Sequence, residues 1–136
     1  MTGRGPGTLG GRRESRERAV ELSYEMTQRG WTVDEILASL PIDPEPYTVL
    51  LLRAVESEKT RIDDIIRARS RWKIERMPVL DLVVTRLALA ELLQTDTPTG
   101  VVLAEAVDLA GRYSTDESAR YVNGLLSAAS KDIRTK

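Results

Sequence analysis

Apolar residues recur at helical spacing along almost the whole chain, and this pattern constrains the fold more than any other feature. The run Leu80, Val83, Val84, Leu87 shows the spacing of three and four residues that places side chains on one face of a helix. Alternation with a period of two, bounded by turns, is found nowhere, so we predict no strands. The sequence therefore predicts an all-α bundle of six or seven helices.

Punctuating residues mark where these helices begin and end. Thr32 followed by Glu35 is a capping box, and a glycine after the first apolar segment is a natural helix stop. Apolar periodicity continues from 46 to 69, which leaves open one long helix or two helices with a bend around 57–60. That glycine is Gly30. Three further residues mark helix starts: Pro46, Pro78 and Thr115.

The chain is predicted to form one domain with a short leader. Residues 1–11 contain five glycines and Pro6, and we expect them to be a disordered basic leader before a single helical domain at 12–136. No apolar stretch follows the arginines of this leader, so it does not have the pattern of a secretory signal. No apolar run reaches the roughly 18 residues that a membrane span needs.

Composition argues against catalysis. The chain has no cysteine and no histidine, which excludes thiolate zinc sites and Ser/His or Cys/His nucleophilic catalysis. The best remaining carboxylate pair, Glu105 and Asp108, is three residues apart, but the usual reading of such residues is a solvated or ion-paired surface. We therefore expect no enzyme, no metal and no cofactor. The absence of cysteine also fits a cytoplasmic location.

Positive charge is concentrated at the N-terminus of a chain whose net charge is −1. Residues 1–20 contain five arginines against two glutamates, so the remaining residues sum to −4. A basic end on a mildly acidic body is a common layout in proteins that contact nucleic acid, although a solvated tail has the same appearance.

Arg12, Arg13 and Arg16 share one helical face because their spacings are three and four residues. Guanidinium groups there make bidentate contacts to phosphates and stack on bases. The alternative is a solvated arginine face paired with Glu14 and Glu17. Both readings assume that the three side chains are exposed.

Two residues of the last predicted helix have more than one interpretation. Tyr121 either stacks on an unpaired base or belongs to the core. Gly124 costs about 1 kcal/mol relative to alanine inside a helix, so we expect close helix packing or close approach of a ligand there.

Three segments together resemble the NusB family. The most specific is 101–126, VVLAEAVDLAGRYSTDESARYVNGLL, which ends in the aromatic-Val-Asn-Gly block of that family. The arginine-rich first helix leading to Ala19-Val20 is similar to a second landmark, and 72–93 is similar to the middle segment. The resemblance covers about residues 12–134.

The resemblance implies a fold, partners and site residues. NusB-like proteins consist of two packed three-helix bundles plus an extra helix. They bind boxA leader RNA with the ribosomal protein NusE, and the complex helps RNA polymerase to read through terminators and supports ribosomal RNA maturation. By this likeness the RNA contacts are Arg12, Arg13, Arg16, Glu117, Arg120 and Tyr121, and Asp81 belongs to the face for the protein partner.

A second function class stays open at this stage. The chain could be a NusB-like module that docks a protein or self-associates, and that does not bind RNA. Some NusB-like proteins form homodimers through the face used for NusE, so a homodimer is a further alternative.

Overall fold

The computed structural model describes residues 9–134, with side chains from Arg12 onward. This part of the chain contains helices and no strand, which confirms the all-α prediction. The seven α-helices are α1 (Leu9–Arg29), α2 (Val33–Ser39), α3 (Pro46–Ser57), α4 (Lys59–Arg69), α5 (Val79–Gln94), α6 (Thr99–Tyr113) and α7 (Asp116–Ile133). A short 3₁₀ turn, Ile74–Arg76, lies between α4 and α5.

Helices α1, α2 and α3 pack together as an N-terminal bundle. Gly30 has a φ of 69°, the left-handed conformation that ends α1. The predicted capping box then starts α2: the Thr32 Oγ1 accepts from the Glu35 amide at 3.2 Å, and the Glu35 carboxylate accepts from the Thr32 amide at 2.8 Å. Glu56 of α3 accepts from the Val33 amide at 3.1 Å, so α3 holds the start of α2 directly.

Helices α5, α6 and α7 form a second bundle, with α4 packed against α5 and α7 as the extra helix. Helix α5 also contacts α1 and α3 and is therefore the centre of the molecule. Its buried residues lie on all sides, as expected for a helix that is apolar around its whole circumference. This arrangement confirms two three-helix bundles plus one helix.

The long apolar segment 46–69 is two helices. Glu58 lies between the two helices and caps both of them. Its amide donates to the Ala54 carbonyl at 2.9 Å at the end of α3, and its carbonyl accepts from the Ile62 amide at 2.8 Å at the start of α4. Helix α4 is anchored to α5 by a bidentate ion pair, in which Arg86 donates to both oxygens of Asp63 at 2.9 and 3.0 Å.

Two helices, α1 and α6, begin earlier in the chain than the sequence pattern indicates. Helix α1 begins at Leu9, three residues inside the segment that we predicted to be a leader; residues 1–8 of that leader lie outside the described part of the chain. Helix α6 begins at Thr99, directly after Pro98. The fixed φ of proline suits the position before a helix, and this signal was stronger than the apolar pattern that begins at Val101. No helix between residues 9 and 134 is long and apolar enough to cross a membrane.

Candidate nucleic-acid interface

The residues predicted to bind RNA lie in two separate places. Arg12, Arg13 and Arg16 are on the first turns of α1, beside α3, α5 and the start of α6. The other predicted residues line a cleft where the α4–α5 connector meets the α6–α7 turn. Arg12 lies near the start of α6 and Arg13 beside its middle, whereas the cleft lies at its C-terminal end.

Arg16 is buried, contrary to the expectation that all three arginines are exposed. Its side chain is 5% exposed and donates to both carboxylate oxygens of Glu91, at 3.0 and 2.8 Å. The Tyr47 hydroxyl donates to the same carboxylate at 2.7 Å. Burial lowers the pKa of the Arg16 guanidinium, but the hydrogen bond and charge of Glu91 outweigh it and raise the pKa overall.

The burial of Arg16 follows from its place on α1. Ala19 and Val20 lie three and four residues further along, on the same face, and both are fully buried in the core. Glu91 is an acid in the otherwise apolar inner part of α5, and a buried carboxylate needs a partner. The sequence contains both the apolar residues that follow Arg16 on α1 and the acid in α5, but only the fold shows that Arg16 and Glu91 are in contact.

Arg13 is the exposed member of the group. Its side chain is 63% exposed, and it pairs with the Glu105 carboxylate at 2.9 and 3.3 Å. The hydrogen bond from this carboxylate, with its negative charge, raises the pKa of the Arg13 guanidinium. The carboxylate partners of Arg13 and Arg16 are thus on α5 and α6, whereas the sequence suggested Glu14 and Glu17.

Arg12 lies against an aromatic ring. Its guanidinium carbon is 4.5 Å from the centroid of the Tyr47 ring, and its Nη1 donates to the Thr97 hydroxyl at 3.1 Å. The quadrupole of the tyrosine ring attracts a cation that lies over its face, and the hydrogen bond fixes the orientation of the guanidinium. Arg12 is therefore oriented from both α3 and the turn between α5 and α6.

Further contacts hold α1 against the C-terminal end of α6. Arg112 donates to Glu17 at 2.8 Å and to Asp108 at 2.9 Å. The Tyr113 hydroxyl donates to the Glu21 carboxylate at 3.0 Å. Burial of the phenol, together with this hydrogen bond, raises the pKa of Tyr113 to about 12. The carboxylates of α6 thus pair with arginines, and the described residues contain no cluster of acidic side chains that could hold a metal ion.

A cleft of about 700 Å³ collects the remaining predicted residues. We call it the α7 cleft; its lining is Arg71, Trp72, Arg76, Pro78, Asp81, Ser114, Thr115, Glu117, Ser118, Arg120 and Tyr121. Three arginines face two acidic residues, so the lining carries one net positive charge. Asp81, which the resemblance assigns to the face for the protein partner, lines this cleft together with Glu117, Arg120 and Tyr121.

Tyr121 lies at the edge of the cleft, partly buried, and orders the connector opposite. Its hydroxyl is 2.5 Å from the Ser70 Oγ. Ser70 donates its one hydroxyl proton to the Trp72 carbonyl at 2.8 Å and accepts from the Trp72 amide at 2.9 Å. The phenol must therefore be the donor to Ser70. Tyr121 packs against the core, as one of the two interpretations predicts, and it also lines the cleft.

Trp72 is a residue that the sequence reading missed as a site residue. It is 49% exposed and lines the cleft. The Arg71 guanidinium lies 5.9 Å from the centroid of its ring. An aromatic residue between Arg71 and Lys73 in a connector was the available signal.

Asp81 is a buried carboxylate with an unsatisfied oxygen. The residue is 3% exposed, and its Oδ1 has no hydrogen-bond partner among the described residues. An unpaired buried oxygen loses the water that would otherwise solvate it, which costs about 1 to 3 kcal/mol. Because Asp81 lines the cleft, a donor group entering the cleft would satisfy it.

Comparison with known proteins gives the same assignment as the sequence pattern. The NusB family profile matches residues 13–131. The transcription antitermination protein NusB of Thermobifida fusca is 41% identical over 124 residues, which cover 87% of each chain. A solved T. maritima NusB is 30% identical, with a TM-score of 0.77 and coverage of 89% of this chain and 91% of that one.

A second solved structure contains partners. It is that of the antitermination factors NusB and NusE in complex with double-stranded RNA, and the matching chain is 27% identical, with a TM-score of 0.78 and coverage of 92% of this chain and 99% of that one. The family profile spans most of the sequence, and the Thermobifida fusca relative matches over most of its own length. This chain belongs to the NusB family.

Proposed function

We propose that the protein is a non-catalytic RNA-binding factor of transcription antitermination, which binds boxA-type leader RNA together with NusE. In this role it joins the antitermination complex of RNA polymerase and supports ribosomal RNA transcription in the cytoplasm. The Thermobifida fusca relative is named a transcription antitermination protein, and one structural neighbour was solved as NusB and NusE in complex with double-stranded RNA.

The observation that carries the proposal is the composition of the α7 cleft. An exposed tryptophan and a tyrosine line the same space as three arginines. Stacking on aromatic rings requires bases that are not paired, and arginines bind the phosphates that join them. The cleft therefore favours single-stranded RNA, with Trp72 and Tyr121 beside the bases.

The remaining cleft residues have distinct roles in this proposal. Arg120 is exposed on the first turns of α7, where it contacts phosphate. Glu117 is exposed one turn earlier, and its carboxylate accepts from base N–H groups, because it repels phosphate.

The arginines of α1 supply a second contact region. Arg13, with its exposed guanidinium, exchanges Glu105 for an RNA phosphate, and Arg12 contacts the same strand from its place over Tyr47. Arg16 contributes through the fold, because its Nε and Nη2 donate to Glu91 in the interior and its Nη1 lies 3.7 Å from the Glu105 carboxylate.

Asp81 is the proposed contact for the protein partner. A lysine or arginine of NusE, placed in the α7 cleft, would donate to the unsatisfied Oδ1 of Asp81. A charged donor stabilises a buried carboxylate more than a neutral donor does. The carboxylate has already lost its water on folding, so binding adds no further desolvation cost for it. Replacement by asparagine keeps the shape and removes the charge, so Asp81→Asn is expected to weaken NusE binding.

Titration of a boxA-type RNA, with and without purified NusE, tests the proposal. Affinity should fall steeply as salt rises, because phosphate contacts release counterions. Arg13→Ala and Arg120→Ala should each weaken binding and lower the salt slope by about one. Arg67→Ala is the matched control, since Arg67 is similarly exposed at 57% and pairs with Asp64 on α4, away from both regions.

Two results would contradict the proposal. Binding that does not depend on salt would exclude the arginine–phosphate contacts. Binding of NusE, or self-association in gel filtration, without any binding of RNA would instead support the interaction-only module.

A further inference from the structure

The last described residue, Arg134, holds the turn between α5 and α6. Its Nη2 donates to the Leu92 and Thr95 carbonyls at 3.1 and 2.7 Å. Its Nη1 donates to the Thr97 carbonyl and to the Thr99 hydroxyl. One guanidinium at the end of α7 therefore bridges the end of α5, the turn and the start of α6.

The position of Arg134 suits its charge. The carbonyls at the end of a helix have no partner within the helix and carry its negative dipole end. Leu92 and Thr95 are such residues of α5, so a cation is favoured there. Four hydrogen bonds from one planar group fix the turn in a way that a single ammonium cannot reproduce.

The turn between α5 and α6, held by Arg134, places Thr97 beside the N-terminal end of α1, where we propose that RNA binds. Thr97 is buried, and its hydroxyl is 3.1 Å from the Arg12 Nη1 and 3.1 Å from the Tyr47 hydroxyl. Tyr47 is also the aromatic ring under the Arg12 guanidinium. The carbonyl of Thr97 is held by Arg134 while its side chain holds Arg12.

We propose that Arg134 is a positioning residue for RNA binding: it fixes Thr97, which in turn fixes the direction of the Arg12 guanidinium. The C-terminal end of the last helix thereby sets the geometry of the first. This inference rests on the proposed function, because it assigns a role in the RNA contact made from α1.

Nuclear magnetic resonance of the free protein tests the positioning step without RNA. The side-chain signals of Arg12 are shifted by the Tyr47 ring that lies beneath its guanidinium, and Arg134→Ala should move them toward the values of a solvated arginine. Thr97→Val should do the same, because it removes the hydroxyl with little change of shape. Unchanged Arg12 signals in both variants would overturn the proposal.

RNA titration then tests the consequence. Arg134→Ala and Arg12→Ala should each weaken binding about fivefold, and the double variant should be no weaker than the weaker single variant, because residues of one network are not additive. Arg134→Lys should restore little of the affinity. The control is Arg69→Ala, which removes a bidentate contact to Asp132 on the same end of α7.

The outcomes separate this proposal from the proposed function. Effects of Arg134→Ala and Arg12→Ala that multiply in the double variant would show a general effect on the fold and contradict positioning. Wild-type affinity in Arg134→Ala would contradict it as well. Absence of RNA binding by the wild-type protein would overturn both proposals, while shifted Arg12 signals would still show that Arg134 orders the turn. Thr97→Val provides the affinity measurement if Arg134→Ala does not fold.

Discussion

Three arginines that look equivalent in the sequence have three different environments. Arg13 is on the surface, Arg12 lies over a ring, and Arg16 is inside. Helical spacing predicts that they share one face, but it does not show which of them the rest of the fold covers. That depends on Glu91 and Glu105, which are more than seventy residues away in sequence and reach α1 only through the fold.

The buried pair predicts a large loss of stability in Arg16→Ala. Removing one partner leaves the Glu91 charge uncompensated in the interior, which costs about 3 to 5 kcal/mol of the free energy of unfolding. Urea denaturation measures this loss. Arg13→Ala is the comparison, and its midpoint should remain close to that of the wild type, because its ion pair is solvated. Similar midpoints for the two variants would contradict the structural role of Arg16.

Tyr113 predicts a pH dependence in the alkaline range. Its pKa is raised to about 12 in the fold, chiefly by burial, against an ordinary value of about 10. The neutral phenol is thus favoured in the fold, and its stabilising contribution is complete below about pH 10 and lost as the pH rises toward 12. Difference absorbance titration of wild type against Tyr113→Phe measures the midpoint. A midpoint near 10 would show that neither the burial of the phenol nor its contact with Glu21 persists.

Helix ends were predictable where a residue carries its own signal. The caps Thr32 and Thr115 and the stop at Gly30 depend on local chemistry, and the structure confirms them. The break at Glu58 was left open, since no proline or glycine marks it and only packing of α4 against α5 and α7 requires it. Trp72 was missed for the same reason, because exposure of a connector depends on its neighbours.

Gly124 was expected to permit either close helix packing or close approach of a ligand, and the structure contradicts the first of these. A Cβ atom added at Gly124 meets nothing within 4 Å. Gly124→Ala should therefore stabilise the protein by about 1 kcal/mol through helix propensity alone. Thermal unfolding measures the change, and RNA affinity measured in parallel shows whether a ligand approaches this face.

Gly30 provides the control of opposite sign. It also has open space around the position of a Cβ atom, but its φ of +69° is a conformation that alanine adopts only with strain. Gly30→Ala should lower the melting temperature while Gly124→Ala raises it. Two shifts of the same sign would show that backbone conformation and helix propensity do not govern these positions.

On the scale of the molecule, the fold separates the two proposed contact regions. Arg13 pairs with Glu105 in the middle of α6, and the α7 cleft includes Ser114 at its end, about 14 Å further along the helix axis. The sequence assigned all of these residues to RNA binding, but it gave no information on the distance between the two regions. One RNA strand must therefore span both regions to use them together.

The separation predicts additive effects and a dependence on RNA length. For a boxA-type RNA that reaches both regions, the free-energy losses of Arg13→Ala and Arg120→Ala should add to within about 0.5 kcal/mol, because distant sites without shared partners are independent. Shortening the RNA from one end should abolish sensitivity to one variant and retain sensitivity to the other. Equal sensitivity to both variants at every length would mean that the strand does not bridge the two regions, and that the arginines of α1 and the α7 cleft do not bind a common ligand.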